Sequence, residues 1–277
     1  MITTILQKAA KEAAEVIKSY YMQEVETTEK GNHHNIVTVA DIEAQRVLKE
    51  MLVDLARSHG LPPEDTGFVA EEDGAANKAK THTFIIDPID GTSNFSSGLD
   101  YFAISLAYVR EGVLQDALIY APIRDTWYWA AKGKGAMKMH GGITTQLRVK
   151  KAELKKSLML TSLSSRANGN GALSHIVSEI SPKVKGLRVY GACSLDFALY
   201  AENQFAIVIN GRAYAWDWAA NQLILEEAGG TLYDWSGKPL TLNLEKPAQD
   251  YTLLACHSDH LPEIVPVLEK ATDILNS

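Results

Sequence analysis

The stretch Phe84-Ile85-Ile86-Asp87-Pro88-Ile89-Asp90-Gly91-Thr92-Ser93-Asn94-Phe95 sets two carboxylates three residues apart, where an apolar run gives way to a Gly-Thr-Ser turn. The run reads as a buried strand that delivers Asp87 and Asp90 to a sheet edge. Pro88 has no backbone donor and is expected to end the ladder. Gly91, Thr92 and Ser93 read as the opening of a short helix whose free N–H groups offer a place for an anion. Two acids beside a phosphate cradle repel the phosphate unless cations lie between them. The pattern therefore points to a hard divalent ion, Mg²⁺, held jointly by carboxylates and phosphate oxygens. Taken alone, Asp-x-x-Asp is also what an ordinary turn with a helix cap shows.

Other acids bear on the choice. Gly67-Phe68-Val69-Ala70 leads into Glu71-Glu72-Asp73, which could equally be a solvated acidic loop. Asp217 opens an apolar-periodic segment that runs through Leu223, Ile224, Leu225 and Ala228 to Gly229-Gly230, a helix with an acid at its start and a glycine stop. Asp41 stands at the start of another such segment. For Asp41 and Asp217 alike, the local alternative is a helix N-cap.

The elements that must position these acids can be read from periodicity. Ile2, Ile5, Leu6, Ala9, Ala13, Val16, Ile17 and Tyr20 mark an N-terminal helix, and a second runs from Asp41 to about His59, stopped by Gly60 and Pro62-Pro63. The period then changes to two. Tyr101–Val109, Val113–Tyr120 and Thr126–Ala131 read as antiparallel strands, with Arg110-Glu111-Gly112 as the first turn. Strands at Leu158–Thr161, Leu187–Tyr190 and Phe205–Ile209 then alternate with helices near Ala172–Ile180 and Leu195–Ala201 before the Asp217 helix. This is a layered α/β (α+β) architecture. Asp73–Thr81 reads as the best candidate for a mobile loop.

The 277 residues are 46% hydrophobic, enough for a large core, and no linker or repeat interrupts them. A net charge of −7 disfavours nucleic acid or an anionic membrane as the main partner. No apolar run is long enough to span a bilayer and no secretory pattern is visible, so a cytoplasmic location is expected. Cys193 and Cys256 are too few for a disulfide framework or a zinc site. His33-His34 reads as a surface loop.

Taken together, Val37-Thr38-Val39-Ala40-Asp41, Glu71-Glu72, the Asp87–Phe95 motif, Gly133-Lys134-Gly135-Ala136 and Trp216-Asp217 through Gly229-Gly230 resemble the inositol monophosphatase family of Mg²⁺-dependent, Li⁺-sensitive phosphatases. The resemblance covers nearly the whole chain. It implies one domain folded as an αβαβα sandwich, with the active site between an N-terminal half of about 1–150 and a C-terminal half of about 151–277. In the family pattern Glu71, Asp87 and the carbonyl of Ile89 hold a first Mg²⁺, while Asp87, Asp90 and Asp217 hold a second. A weaker third site lies near Glu71. Asp41 and Thr92, with Glu71, would activate the attacking water, and the N–H groups of Gly91 and Thr92 would hold the phosphate. A homodimer is also implied, with the aromatic segment Trp127-Tyr128-Trp129 as an apolar face in need of cover.

Two departures concern the substrate. Inositol-specific members carry a Glu seven residues before the last metal Asp, and here that position is Asn210, which with Gly211 also reads as a turn ending its strand. The family's Gly-Ser/Thr-Ala loop, which meets the substrate together with Asp217, appears as Gly191-Ala192-Cys193 and lacks the hydroxyl. Inositol 1-phosphate is the leading substrate. Fructose 1,6-bisphosphate, histidinol phosphate and adenosine 3′,5′-bisphosphate, hydrolysed by related families, are the alternatives. From another class comes a regulatory binding protein that contacts transcription machinery.

Overall fold

Apolar side chains at the helical period give helix α1 (Ile2–Tyr20) a face of Ile5, Leu6, Ala9, Ala13 and Ile17, all buried. An antiparallel hairpin of β1 (Thr27–Asn32) and β2 (Asn35–Thr38) leads to α2 (Val39–Ser58), whose buried Ala40, Ala44, Leu48, Leu52 and Ala56 complete the same layer. The small alanines let the two helices approach closely. The structure is a computed structural model that describes residues 2–23, 27–32, 35–76, 78–162 and 169–277. His33-His34 lies outside the described residues.

A large sheet follows, built in the order β3 (Thr66–Ala70), β4 (His82–Asp90), β5 (Ala103–Arg110), β6 (Val113–Ala121), β7 (Thr126–Ala131), β8 (Ala136–His140) and β9 (Ile143–Gln146), with the five-residue helix α3 (Thr92–Ser96) between β4 and β5. Only the β3–β4 pair is parallel. The Arg110-Glu111-Gly112 turn forms as expected, with Glu111 and Gly112 both at positive φ, the geometry that suits a twisted hairpin. Pro88 does not end β4. The strand continues to Asp90 through a bulge, since Asp87 pairs with Ser105 and Asp90 with Ala103, and the register skips Pro88 and Ile89.

The later half supplies β10 (Leu158–Thr161), α4 (Gly169–Ile180), β11 (Gly186–Arg188), α5 (Cys193–Ala201), β12 (Phe205–Ala213), α6 (Ala215–Glu227), β13 (Leu232–Tyr233), β14 (Tyr251–Cys256) and α7 (Leu261–Asn276). Its sheet runs β11-β10-β12-β14-β13. The Asn210-Gly211 turn is not there. β12 passes straight through that dipeptide to Ala213 on a bulge, with Asn210 opposite Leu253 and Ala213 opposite Tyr251.

Three apolar layers hold the stack together. Ile86, Leu106 and Leu118 face α1 and α2 on one side of the large sheet. Ile85, Ala107 and Ile119 face the opposite way and meet α5, α6 and the inner face of the second sheet, through Phe197, Trp218, Leu223, Leu160, Val208 and Leu253. Met159, Ile207 and Leu254 then pack outward on α4 and α7. The order α/β/α/β/α buries both faces of both sheets, which is why β4 and β12 read as unbroken apolar runs. Two of the three aromatic residues find their cover inside the subunit: Trp127 stacks on Tyr120 with ring centroids 3.5 Å apart, and Tyr128 is buried and hydrogen-bonded to Glu202, while Trp129 is partly buried. Among the described residues no helix is long and apolar enough to cross a membrane.

Candidate active site

The parallel register of β3 and β4 pairs Ala70 with Ile86, so the next residue of each strand, Glu71 and Asp87, emerge side by side. In an unbroken strand Asp87 and Asp90 would point to opposite faces, because residues three apart alternate. The bulge at Pro88 adds one residue and turns both acids into the same space. The N–H of Ile89 donates to Asp87 Oδ1 at 3.1 Å and holds that carboxylate over the bulge. Gly91 follows at φ 95, where an added Cβ would lie 3.0 Å from Ala192 Cβ and 3.1 Å from the Tyr101 carbonyl oxygen. Only glycine lets the chain turn sharply into α3 at this point.

Two further acids arrive on helix starts. Asp41 and Asp217 are not N-caps: each is the third residue of its helix and reaches back to the backbone, Asp41 Oδ2 accepting the Thr38 N–H at 2.8 Å and Asp217 Oδ2 the Tyr214 N–H at 2.7 Å. One oxygen of each therefore caps a helix and the other is left for different work. Asp41 Oδ1 accepts from Thr92 Oγ1 at 3.1 Å, and the same hydroxyl lies 3.0 Å from the carbonyl oxygen of Ile89. Helix α2 thus meets the Asp87–Asp90 bulge through Thr92.

The electrostatics of this cluster are unusual. Burial drives the Asp87 carboxyl well above the ordinary carboxylate range, and the charges of Glu71, Asp90 and Asp217 push it further. Burial and the charges of Glu71 and Asp90 raise Asp217 in the same way. Asp87 shares hydrogen bonds with both Glu71 and Asp217. Asp90 is also raised by burial, but only to about 6, because hydrogen bonds from Ser194 and Cys193 favour its ionised form. Four acids are thus packed where their charges are poorly solvated and mutually repulsive.

The second half of the chain closes the site. Cys193 and Ser194, the first residues of α5, donate their N–H groups to Asp90 Oδ1 and Oδ2 at 3.0 and 2.6 Å, and Ser194 Oγ adds a bond of 2.5 Å to Oδ2. Gly191-Ala192-Cys193 therefore lies directly against the Asp87–Thr92 motif, with Gly191 at φ +83 beside the Asn94 side chain. Burial and the surrounding acids, Asp217 first, raise the Cys193 thiol well above its usual range. Asn210 is buried on the β12 bulge, its Oδ1 accepting the Arg212 N–H at 2.8 Å and its Nδ2 3.4 Å from Ser162 Oγ. That serine donates to Asp196, which also accepts from Tyr101 OH at 2.8 Å. Of the acidic triplet, Asp73 turns away to Gln45 and Lys49 on α2, and the Glu72 N–H is taken by Gln45 Oε1.

Several of these residues escaped sequence reasoning. Thr38 had a readable signal, the Thr-x-x-Asp spacing of a capping box. Ser194, Asp196, Tyr101 and Ser162 had none.

The donor set is all oxygen: four carboxylates and the carbonyl of Ile89. That is the ligand chemistry of a hard dication. The acids are paired with one another rather than splayed about a centre, and among the described residues no three His, Cys, Asp or Glu side chains form a ready-made ligand cage. A cation held by these acids would displace protons from them, as metal binding to acids generally does.

An αβαβα sandwich with acids converging at the junction of its halves has clear relatives. The sequence pattern of the inositol monophosphatase family matches residues 1–271. The chain is 32% identical over 271 residues to the inositol-1-monophosphatase of Caulobacter vibrioides, covering 95% of this chain and 99% of that one. It is 30% identical over 238 residues to the Nus factor SuhB of Pseudomonas aeruginosa, covering 84% of this chain and 85% of that one. Among solved structures, the Thermotoga maritima IMPase superposes with a TM-score of 0.80 at 27% identity, over 97% and 96% of the two chains. The fold and family define a phosphoric monoester hydrolase. The chain belongs to the inositol monophosphatase family.

Proposed function

We propose that the chain is a Mg²⁺-dependent phosphomonoesterase of small polyol or sugar phosphates, with inositol 1-phosphate as its leading substrate. The observation that carries this reading is the convergence of Glu71, Asp87, Asp90 and Asp217 beside the Asp41–Thr92 pair. Glu71, Asp87 and the Ile89 carbonyl would hold one ion and Asp87, Asp90 and Asp217 a second, with a weaker third near Glu71. Bound Mg²⁺ would supply charge neutralisation on the phosphoryl oxygens and acidify water.

The chain's own groups do the rest. The Thr92 hydroxyl donates to Asp41, which leaves its lone pairs to accept a hydrogen bond from the attacking water and aim it. Asp41 is fully buried and accepts hydrogen bonds from Thr92 and from the two Thr38 donors, so a proton passing from water through Thr92 would end on its Oδ1. The N–H groups of Gly91 and Thr92, where α3 opens, would hold the phosphate. Asn210, with the Gly191–Cys193 loop, would meet the alcohol part of the substrate. Asn210 both donates and accepts, so it suits hydroxyls without demanding inositol. Phosphate release measured over inositol 1-phosphate, fructose 1,6-bisphosphate, histidinol phosphate and adenosine 3′,5′-bisphosphate, with and without Mg²⁺, tests the reading. No release from any of them would refute it.

Similarity to the Nus factor SuhB supports a second role in contact with transcription machinery. Five acids converging in one site have no purpose in a pure binding module, so this role would add to hydrolysis rather than replace it. A homodimer is also proposed, on the rim of a cavity that Thr126 and Tyr128 of the aromatic strand help to line. Leu99, Val189 and Tyr190, exposed at 55%, 46% and 37%, rim this cavity of about 650 Å³. Burying such a rim in a second copy would remove the exposed apolar surface.

A further inference from the structure

We propose that Ser194 is a positioning residue that restricts Asp90 to one-oxygen coordination and so favours Mg²⁺ over larger cations. The inference rests on the reading of Asp90 as a metal ligand, and deepens it.

Ser194 is fully buried on α5, in the half of the chain opposite to Asp90. Its hydroxyl and its N–H both end on Asp90 Oδ2, at 2.5 and 2.6 Å. A carboxylate oxygen has two lone pairs, so Oδ2 is fully engaged. Among the described residues Oδ1 accepts only the Cys193 N–H, at 3.0 Å, and keeps one direction open. Asp90 can therefore offer a cation one oxygen from one angle.

The clamp cannot easily turn. The Ser194 carbonyl accepts from Asn221 Nδ2 on α6 at 3.1 Å, and two residues on, Asp196 is tied to Tyr101 OH at 2.8 Å. The first turn of α5 is thus fixed to β4, to α6 and to the residues entering β5. The family's loop hydroxyl is missing at Ala192, and the chain places a hydroxyl two residues later, aimed at the carboxylate instead.

Coordination chemistry gives this a consequence. Mg²⁺ requires near-ideal octahedral ligation by single oxygens, whereas Ca²⁺ accepts both oxygens of a carboxylate in a looser shell. Without the Ser194 hydroxyl, Oδ2 regains a lone pair and the carboxylate gains freedom to pivot. Outer partners of this kind typically govern roughly 10–100-fold in metal affinity.

The test is calorimetric titration of the phosphate-free protein with Mg²⁺ and, separately, with Ca²⁺, for the parent, Ser194→Ala and Asp90→Asn. In Ser194→Ala the Mg²⁺ affinity should fall roughly 10-fold or more while Ca²⁺ affinity holds or rises, so that the ratio of the two shifts by about tenfold. A purely structural role would weaken both ions equally. Ser194→Cys keeps the side-chain volume with a weaker donor and should shift the ratio in the same direction, which answers the question if the alanine variant fails to fold. An unchanged ratio in the folded serine variants, with binding lost in Asp90→Asn, would overturn the proposal and leave Asp90 a ligand. Parent-like binding of both ions by Asp90→Asn would instead overturn the ligand reading beneath it.

Discussion

Asp90→Asn should separate catalysis from folding. Three donors converge on this carboxylate, Cys193 N–H on one oxygen and the N–H and hydroxyl of Ser194 on the other. An amide has a single oxygen. Facing it toward Ser194 turns its NH₂ onto the Cys193 N–H and strands a buried donor, at a cost of about 1–3 kcal/mol. Against this stands relief from a buried charge. Asp90 titrates at about 6 in the folded chain against 3.8 as an ordinary acid. The folded state holds this proton more tightly, so without metal the contribution of Asp90 to stability is fullest below pH 3.8 and is lost as the pH rises through about 6. At neutral pH that loss amounts to roughly 3 kcal/mol, at ~1.36 kcal/mol per pH unit, and asparagine escapes it. The two effects nearly cancel. In EDTA at pH 7 the variant should therefore melt within about 5 °C of the parent, given the roughly 2–4 °C per kcal/mol of a chain this size. Its phosphate release at saturating Mg²⁺ should fall by more than about 100-fold, beyond the range typical of outer partners. Scanning fluorimetry and a phosphate-release assay on the same preparation read both. Near-parent turnover would refute the ligand assignment, and a melting point more than about 10 °C lower would refute the balance of charge relief and hydrogen-bond loss.

Further expectations concern metal, substrate and assembly. Activity should require Mg²⁺ near the millimolar range, vanish in excess EDTA, and be inhibited by Li⁺ and by excess Mg²⁺, because a site completed by substrate oxygens must release phosphate before it resets. Full activity in EDTA is the contrary result. Asn210→Glu should raise kcat/KM for inositol 1-phosphate relative to doubly phosphorylated substrates, by about 1–3 kcal/mol, the worth of a hydrogen bond to a charged group. Parallel steady-state kinetics on both substrates would reveal unchanged ratios if Asn210 serves only to brace the β12 bulge through Arg212. Light scattering at micromolar concentration should give a dimer mass for the parent and a monomer mass for Tyr190→Asp. A parent that is monomeric throughout contradicts the dimer.

Much of the fold was legible because its signals are local. The α1 face, the α2 stop at Gly60, the Glu111-Gly112 turn and the runs of β5, β6 and β7 all follow from periodicity and turn chemistry. β8 and β9 went unread because they are an edge of the large sheet: β9 is exposed throughout, and no apolar alternation marks it. The expected ladder end at Pro88 and the alternative turn at Asn210-Gly211 fail for a common reason. Each favours a break when judged alone, yet the antiparallel neighbour, β5 or β14, resumes pairing beyond it, so the sheet absorbs the irregularity as a bulge rather than ending.

The candidate site divides along the same line. Residue types and spacing alone determined that Asp87 and Asp90 leave an apolar run at a glycine turn, and that Asp41 and Asp217 stand at helix starts. Those features depend on a few adjacent residues, and backbone sterics impose them wherever the segment lies. Tertiary structure decided that the acids share one space, that Asp73 leaves them for Lys49, and that Trp127 is covered by Tyr120 instead of by a partner. It also decided that Ser194 reaches Asp90 from 104 residues away. Contacts of that kind depend on how two sheets stack around α5 and α6, and no window of neighbouring residues encodes them.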